Sequence, residues 1–255
     1  RNIFGVTALR YDDVVGMMRD KRWHSASGQI LEMSGIDDPE WLARRRTSIL
    51  SAEGDEHTRL RRLVGPAFSP RHADALRPYM REVVTSLIDE FAHRGHDTDP
   101  AVDIAVDFCE PYPIPIICEL FGAPKEDWKL FSSWATDIFR IFNGNLAADK
   151  EHILRAQDEL DAYVSDLIEQ RRSTPSDDLI SALIAADEEG DKLSHAELVM
   201  LCEAVLMAGT DTTRNQLGCS TWLFAQHPEQ WALLAARPEL APRAVEETMR
   251  FFGTV

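Results

Sequence analysis

The segment Ala208-Gly209-Thr210-Asp211-Thr212-Thr213 sets a carboxylate and three hydroxyls beside two small residues. It lies in the middle of the most apolar stretch of the chain, Leu198 to Phe224. A glycine costs about 1 kcal/mol inside a helix, and β-branched threonines add a little. A long helix would not choose these residues for stability. Small residues open space beside the backbone. The Thr212 hydroxyl can bond back to the carbonyl of residue 208, four earlier, and bend the helix there. The outcome is a notch lined by a hydroxyl beside a carboxylate, suited to delivering protons to something small held in it. Taken alone, the plainer reading is a kinked core helix with a satisfied polar pair.

Two other pairs have chemical spacing. Glu247 and Arg250, at i and i+3, share a helical face and can pair. Alone they read as a solvated ion pair of little energetic value. They follow Asp211 by 36 residues. His57 and Arg61, at i and i+4, put two donors on one face, which suits an anionic group such as a carboxylate. A basic surface helix would look the same. The four cysteines, Cys109, Cys118, Cys202 and Cys219, contain no C-x-x-C and no metal-type spacing. They read as reduced, structural thiols of an intracellular, cytoplasmic protein.

The elements that must position these residues are almost all helical. Ile3 to Leu9 is a weak strand candidate, and Tyr11 to Arg19 a short helix. Residues 20 to 55 read as irregular, and a stretch that long is commonly functional. Arg59 to Val64 is a helix ended by Gly65-Pro66. Ser69-Pro70 caps a helix reaching about His93. Asp103 to Phe121 opens on a short strand, and its three prolines put the helix start near 113. Pro124 opens a helix to about Phe142, and Asn143-Gly144-Asn145 is a turn. Lys150 to Arg172 is a long amphipathic helix, and Asp177 to Ala186 a shorter one. Ser194 and Glu197 form a capping box ahead of the central segment, which is apolar nearly all round, as a helix through the middle of a domain would be. Pro228 and Pro242 open the last two helices. The fold class is mainly α, with a long central helix and a small β component, in a single domain covering 1–255.

The chain has 255 residues, 44% apolar and 27% charged, with a net charge of −16. That is ordinary globular composition. The acidic balance argues against binding a nucleic-acid backbone. No run of about 18 apolar residues is present, so no membrane span is expected. The N-terminus lacks the features of a signal peptide. Charge is uneven. From His57 to Arg77 the net charge is +4, leaving −20 for the remainder.

Together and in this order, the three motifs resemble the cytochrome P-450 family of the soluble bacterial type. "EGDEHTRLRRLVGPAFSPRHADALRPYM" is similar to the family's helix C and its sequel. "LMAGTDTTRNQL" is similar to the distal oxygen-activating helix. "HPEQWALLAARPELAPRAVEETMR" is similar to the helices ending in the E-x-x-R signature, and "RYDDVVGMMRD" to the start of helix B. The resemblance implies that His57 and Arg61 bind the propionates of haem b. It implies that Asp211 and Thr212 are the acid–alcohol pair delivering protons to dioxygen. It casts Ala208 and Gly209 as the small residues that make room for that oxygen. It makes Glu247 and Arg250 a structural brace on the haem-proximal side. The implied activity is haem-dependent monooxygenation of a hydrophobic small molecule with electrons from a redox partner. Phe139 and Phe142, in the segment from Trp134 to Asn145, are candidate substrate contacts, as is the stretch from Gly28 to Ile49. Plain core packing accounts for the two phenylalanines equally well. Arg59 and Arg62, not needed for the propionates, could meet an acidic ferredoxin-type donor. The alternative for them is pairing with the protein's own acidic residues.

The family's iron ligand is a cysteine in a loop of the form F-x-x-G-x-x-x-C-x-G, well after E-x-x-R. None of the four cysteines sits in such a loop, and the sequence given ends five residues after Arg250. The expectation is therefore an internal fragment of a longer enzyme, incomplete at both ends, supplying the distal half of a haem pocket without its metal ligand and inactive alone. Two rival readings stand beside it. One is a non-catalytic helical binding or interaction module. The other is a family member performing a different oxidation, such as phenol coupling.

Overall fold

A computed structural model describes residues 7–24, 38–94, 101–142, 146–188 and 193–254. The helices, in chain order, are α1 Tyr11–Arg19, α2 Pro39–Arg46, α3 Gly54–Val64, α4 Pro70–Arg94, α5 Pro113–Phe121 and α6 Trp128–Phe139. They continue with α7 Leu146–Ser173, α8 Leu179–Glu188, α9 His195–Ala208, α10 Asp211–Gln226, α11 Pro228–Ala236 and α12 Ala241–Phe251. Short single-turn helices link several of them. No strand occurs among the described residues, so the small β component expected from sequence is absent there. Of the candidate strand Ile3 to Leu9, residues 3–6 lie outside the described set and 7–9 are irregular. At the second candidate, the Asp103 carboxylate accepts the amides of Ala105 at 3.0 Å and Val106 at 3.3 Å. That cap starts a helical turn instead of a strand. The Asn143-Gly144-Asn145 turn lies outside the described residues.

The stretch expected to be irregular contains α2. Its signal was present in the sequence. Pro39 suits the first turn, and Asp38 accepts the amides of Glu40 and Trp41, each at 3.0 Å. Helix α5 starts at Pro113, where its prolines require, and ends at Gly122. Gly122 has φ +89°, the left-handed conformation that closes helices. A side chain there would also meet Asp178, whose carboxylate accepts from Arg171 at 2.5 Å.

The core lies between α5, α6, α7, α8 and α9. Leu160, Val164 and Ile168 of α7 join Leu198, Leu201 and Cys202 of α9, with Phe121 and Ile180. Each large side chain buried here contributes about 1.5–3 kcal/mol of transfer free energy. The α7 stripe is the one its periodicity predicts. The Ser194–Glu197 capping box forms, with the Glu197 amide donating to Ser194 Oγ at 3.2 Å and the Ser194 amide to Glu197 Oε2 at 2.7 Å. The central segment is not one helix. It breaks at Gly209-Thr210 into α9, buried through its middle from Leu198 to Leu206 except at Ala204, and α10, of which only Leu223 is buried among the described residues.

Candidate functional site

The break between α9 and α10 is where the sequence placed its notch. Two bonds of 3.3 Å, from the Gly209 amide to the Val205 carbonyl and from the Thr210 amide to the Met207 carbonyl, tighten the last turn of α9. Thr210, at φ −90° and ψ −76°, turns the chain. The ladder resumes when the Arg214 amide donates to the Thr210 carbonyl at 3.1 Å. The Thr212 hydroxyl donates to the Ala208 carbonyl at 2.8 Å, the back-bond read from spacing. The Thr210 hydroxyl donates to the Met207 carbonyl at 2.9 Å. Side-chain oxygens thus serve carbonyls that the bend takes out of the regular ladder. With its proton committed to Ala208, the Thr212 oxygen keeps its lone pairs to accept a further hydrogen bond.

Asp211 opens α10, where the helix N-terminus favours a carboxylate. Arg214 pairs with its Oδ1, and Asn215 Nδ2 donates to its Oδ2 at 3.2 Å. Sequence reasoning named Asp211 but missed both partners. The i+3 and i+4 spacing was the signal that could have found them. Ala208 is exposed. Gly209 is not beside open space, because a Cβ there would lie 2.8 Å from Ile117 Cδ1 of α5. The room assigned to Gly209 for oxygen is filled by Ile117, so this glycine lets α5 approach the break. Ala208 remains as the small residue facing out.

His57 and Arg61 both lie exposed on α3, one turn apart, on the side of the helix away from Arg59. Arg59 is held by Glu56 of its own helix and by Glu197 of the α9 capping box. At Arg59 the sequence alternative, pairing with the protein's own acids, is what the structure contains. Arg62 is exposed. The capping-box carboxylate Glu197 lies below its ordinary pKa. Burial opposes this, but hydrogen bonds from Ser194 and Arg59 outweigh it. The ion pair Glu247–Arg250 forms with two 2.7 Å bonds on the exposed face of α12.

The segment of candidate substrate contacts from Trp134 to Asn145 divides. Trp134 is core. It packs edge-on against Phe131 and Tyr163 and donates its indole N–H to Glu159 at 2.8 Å. Phe139 is half-buried at the end of α6. The Phe142 side chain lies outside the described residues, as do residues 28–37 of the other candidate stretch, Gly28 to Ile49. Three cysteines are buried and Cys219 is half-buried, all of them free. Burial pushes the Cys118 thiol up to about 12 and raises Cys109 and Cys202 as well. Those three are poor thiolates, as structural cysteines are.

One polar cluster had no sequence signal, because its members are far apart in the chain. Arg45 of α2 reaches between α7 and α9 and pairs with Asp161 at 3.2 Å and with Glu203. No group of acidic, histidine and cysteine side chains suited to a metal ion occurs among the described residues. No helix among them is long and apolar enough to cross a membrane.

Comparison with known proteins shows the family. The family model "Cytochrome P450" matches residues 21–236. Nocardicin C N-oxygenase of Nocardia uniformis subsp. tsuyamanensis is 35% identical over 242 residues, covering 95% of this chain and 58% of that protein. Mycinamicin IV hydroxylase/epoxidase of Micromonospora griseorubida is 36% identical over the same length, with the same coverage. The crystal structure of CalO2 superposes with a TM-score of 0.85 at 29% identity, covering 96% of this chain and 61% of that one. The chain spans 58% of the length of both relatives. The match extends through α3, the α9–α10 break and α11, and on it the chain belongs to the cytochrome P450 family.

Proposed function

We propose that this chain is the distal portion of a haem-thiolate monooxygenase that oxidises a hydrophobic small molecule. The observation that carries the reading is the α9–α10 break. There the Thr212 hydroxyl sits bonded to the Ala208 carbonyl at 2.8 Å, next to the Asp211 carboxylate. A core helix gains nothing from such a break, whereas proton delivery needs an acid and a relay hydroxyl side by side.

The donor set fits haem b. His57 and Arg61 are exposed N–H donors one turn apart, which matches a pair of carboxylates at the edge of a flat cofactor. Exposed Ala208 leaves the face of the break uncrowded. When bound, haem supplies the redox chemistry by which dioxygen, two electrons and two protons give one oxygen atom to the substrate and one to water. The chain's own part is to hold and move protons. Thr212 Oγ accepts a hydrogen bond from a water or acid and, on rotating its hydroxyl away from the Ala208 carbonyl, passes its own proton on while taking one from that donor. Asp211 is the nearest acid in sequence, and Arg214 and Asn215 fix its two oxygens. Glu247 and Arg250 brace α12 against the remaining structure and take no part in proton transfer.

Electrons come from an acidic ferredoxin-type donor docking on the basic surface of α3 and α4, to which Arg62 contributes one exposed charge. Opposite charge across that contact raises the on-rate and is weakened by salt. Reversing Arg62 to Glu lowers the electron-transfer rate and flattens its salt dependence. An unchanged salt slope contradicts the docking site. A cytoplasmic location fits the four free thiols. The activities in the relatives' names, N-oxygenation, hydroxylation and epoxidation, support the reaction class without naming this protein's substrate. The test of the central role is Thr212→Ala. Haem binding stays intact, while electron consumption separates from product formation. Full coupling in that variant refutes the role.

A further inference from the structure

Glu197 does more than its capping box requires. In such a box the third helical residue needs only an oxygen for the cap amide, and glutamine serves as well as glutamate. Glu197 Oε2 fills that role, accepting the Ser194 amide at 2.7 Å. Its other oxygen, Oε1, takes the Arg59 guanidinium of α3. The two residues stand 138 positions apart in the chain, so the pair ties α3 to the first turn of α9. Glu56 also pairs with Arg59, at 2.6 Å, but it stands on α3 itself and cannot tie that helix to another. Glu197 is a firm anchor, because the cap fixes one of its oxygens and the helix behind it is buried through its middle.

The tie bears on the donors across the helix. Leu60 and Val64 of α3 are buried in the core. At 3.6 residues per turn, Arg59 falls on one side of that stripe, and His57 and Arg61 on the other. A stripe of two side chains holds a helix down better than it stops the helix rolling about its axis. Side-chain groups lie about 5–6 Å from the axis, so a roll of about 20° carries them about 2 Å. Hydrogen bonds keep their strength only between about 2.7 and 3.2 Å, so a roll of that size costs His57 and Arg61 whatever anion they hold. The Arg59–Glu197 pair, on the opposite flank, resists it. Ala208, whose carbonyl takes the Thr212 hydroxyl, ends the same α9. One rigid helix thus references both the α3 donors and the proton relay.

We propose that Glu197, acting through Arg59, is a positioning residue that sets the roll of α3 and so aims His57 and Arg61 at the propionates of haem. The inference rests on the monooxygenase reading, which supplies the haem. It requires that a change at Glu197 be felt only where His57 and Arg61 are present to be misaimed.

The test reads haem retention in the full-length holoenzyme and needs no turnover. Release of haem to excess apomyoglobin is timed by absorbance. Glu197→Gln keeps an oxygen for the cap but loses the charged tie, and release is expected to quicken by about fivefold or more, as the loss of a charge-assisted bond allows. Arg59→Met quickens it likewise, and Arg59→Lys, which keeps the charge, restores most of the retention. Glu56→Gln, which leaves the tie between the helices in place, keeps release within about twofold of the native rate. In a background carrying both His57→Ala and Arg61→Ala, Glu197→Gln adds almost nothing, since residues that act through one another are not additive. Unchanged release in the single Glu197 variant overturns the proposal. So does the same quickening in the doubly substituted background, because Glu197 then acts on the fold at large. A native protein without a haem band sinks the monooxygenase reading and this inference with it, whereas unchanged release from a haem-loaded variant sinks this inference alone.

Discussion

Replacing Gly209 by alanine separates two reasons for a glycine at the helix break. The backbone there has φ −79° and ψ −13°, which alanine adopts without strain. On conformational entropy alone the change stabilises by about 0.4–1 kcal/mol. The new methyl, however, would lie 2.8 Å from Ile117 Cδ1, 3.0 Å from Cγ1 and 3.3 Å from Cβ. Carbon atoms in good contact sit about 3.5–4.0 Å apart, so the Ile117 side chain, α5 or the break must shift. Overpacking of this kind costs about 1–3 kcal/mol. The net expectation is a loss of about 1–2 kcal/mol from these two effects. Ile117→Val removes the closest atom and alone costs about 0.5–1.5 kcal/mol. In the double variant the two changes relieve each other by about 1 kcal/mol, within the range for residues in contact. Equilibrium denaturant unfolding of the four proteins closes the cycle. Additivity, or stabilisation by Gly209→Ala alone, refutes the claim that Gly209 serves the approach of α5.

Thr212→Ala removes the 2.8 Å bond to the Ala208 carbonyl and destabilises by about 1 kcal/mol in addition to uncoupling. Thr212→Ser, which keeps the donor, preserves coupling better in assays comparing product with electrons consumed. The lowered pKa of Glu197 makes its contribution to stability full above the unfolded value of 4.5 and lost as pH falls through the folded value. Arg59→Ala reduces that acid sensitivity, visible as a flatter slope of unfolding free energy against pH below 4.5. Asn215→Ala with Arg214→Ala frees both Asp211 oxygens and lowers the ratio of product to electrons consumed while leaving substrate affinity in place.

Much of the site was legible because its residues act locally. The Thr212 back-bond and the capping box each span three or four residues, and helical geometry dictates them. The same holds for the start of α5 at Pro113, which follows from the missing amides of its prolines. What sequence missed is of two kinds. Helix α2 was overlooked although Asp38-Pro39 announces it, because its flanking composition reads as loop. The break at 209–210 was read as a bend because periodicity cannot tell a kink from two helices. Contacts between distant segments left no trace at all. Nothing in the neighbourhood of Gly209 announces Ile117, and Arg45, Asp161 and Glu203 meet across more than a hundred residues. The pairing of Arg59 with Glu197 is of the same sort. It shows how a charge that looks available for a partner is spent inside the molecule.

The central claim, that this chain lines the distal side of a haem with thiolate ligation, is tested most directly by the carbon monoxide difference spectrum of the reduced full-length protein. The account predicts a strongly red-shifted Soret band, the signature of a cysteine thiolate on iron. Absence of a haem band, or a band at the position given by histidine ligation, contradicts it.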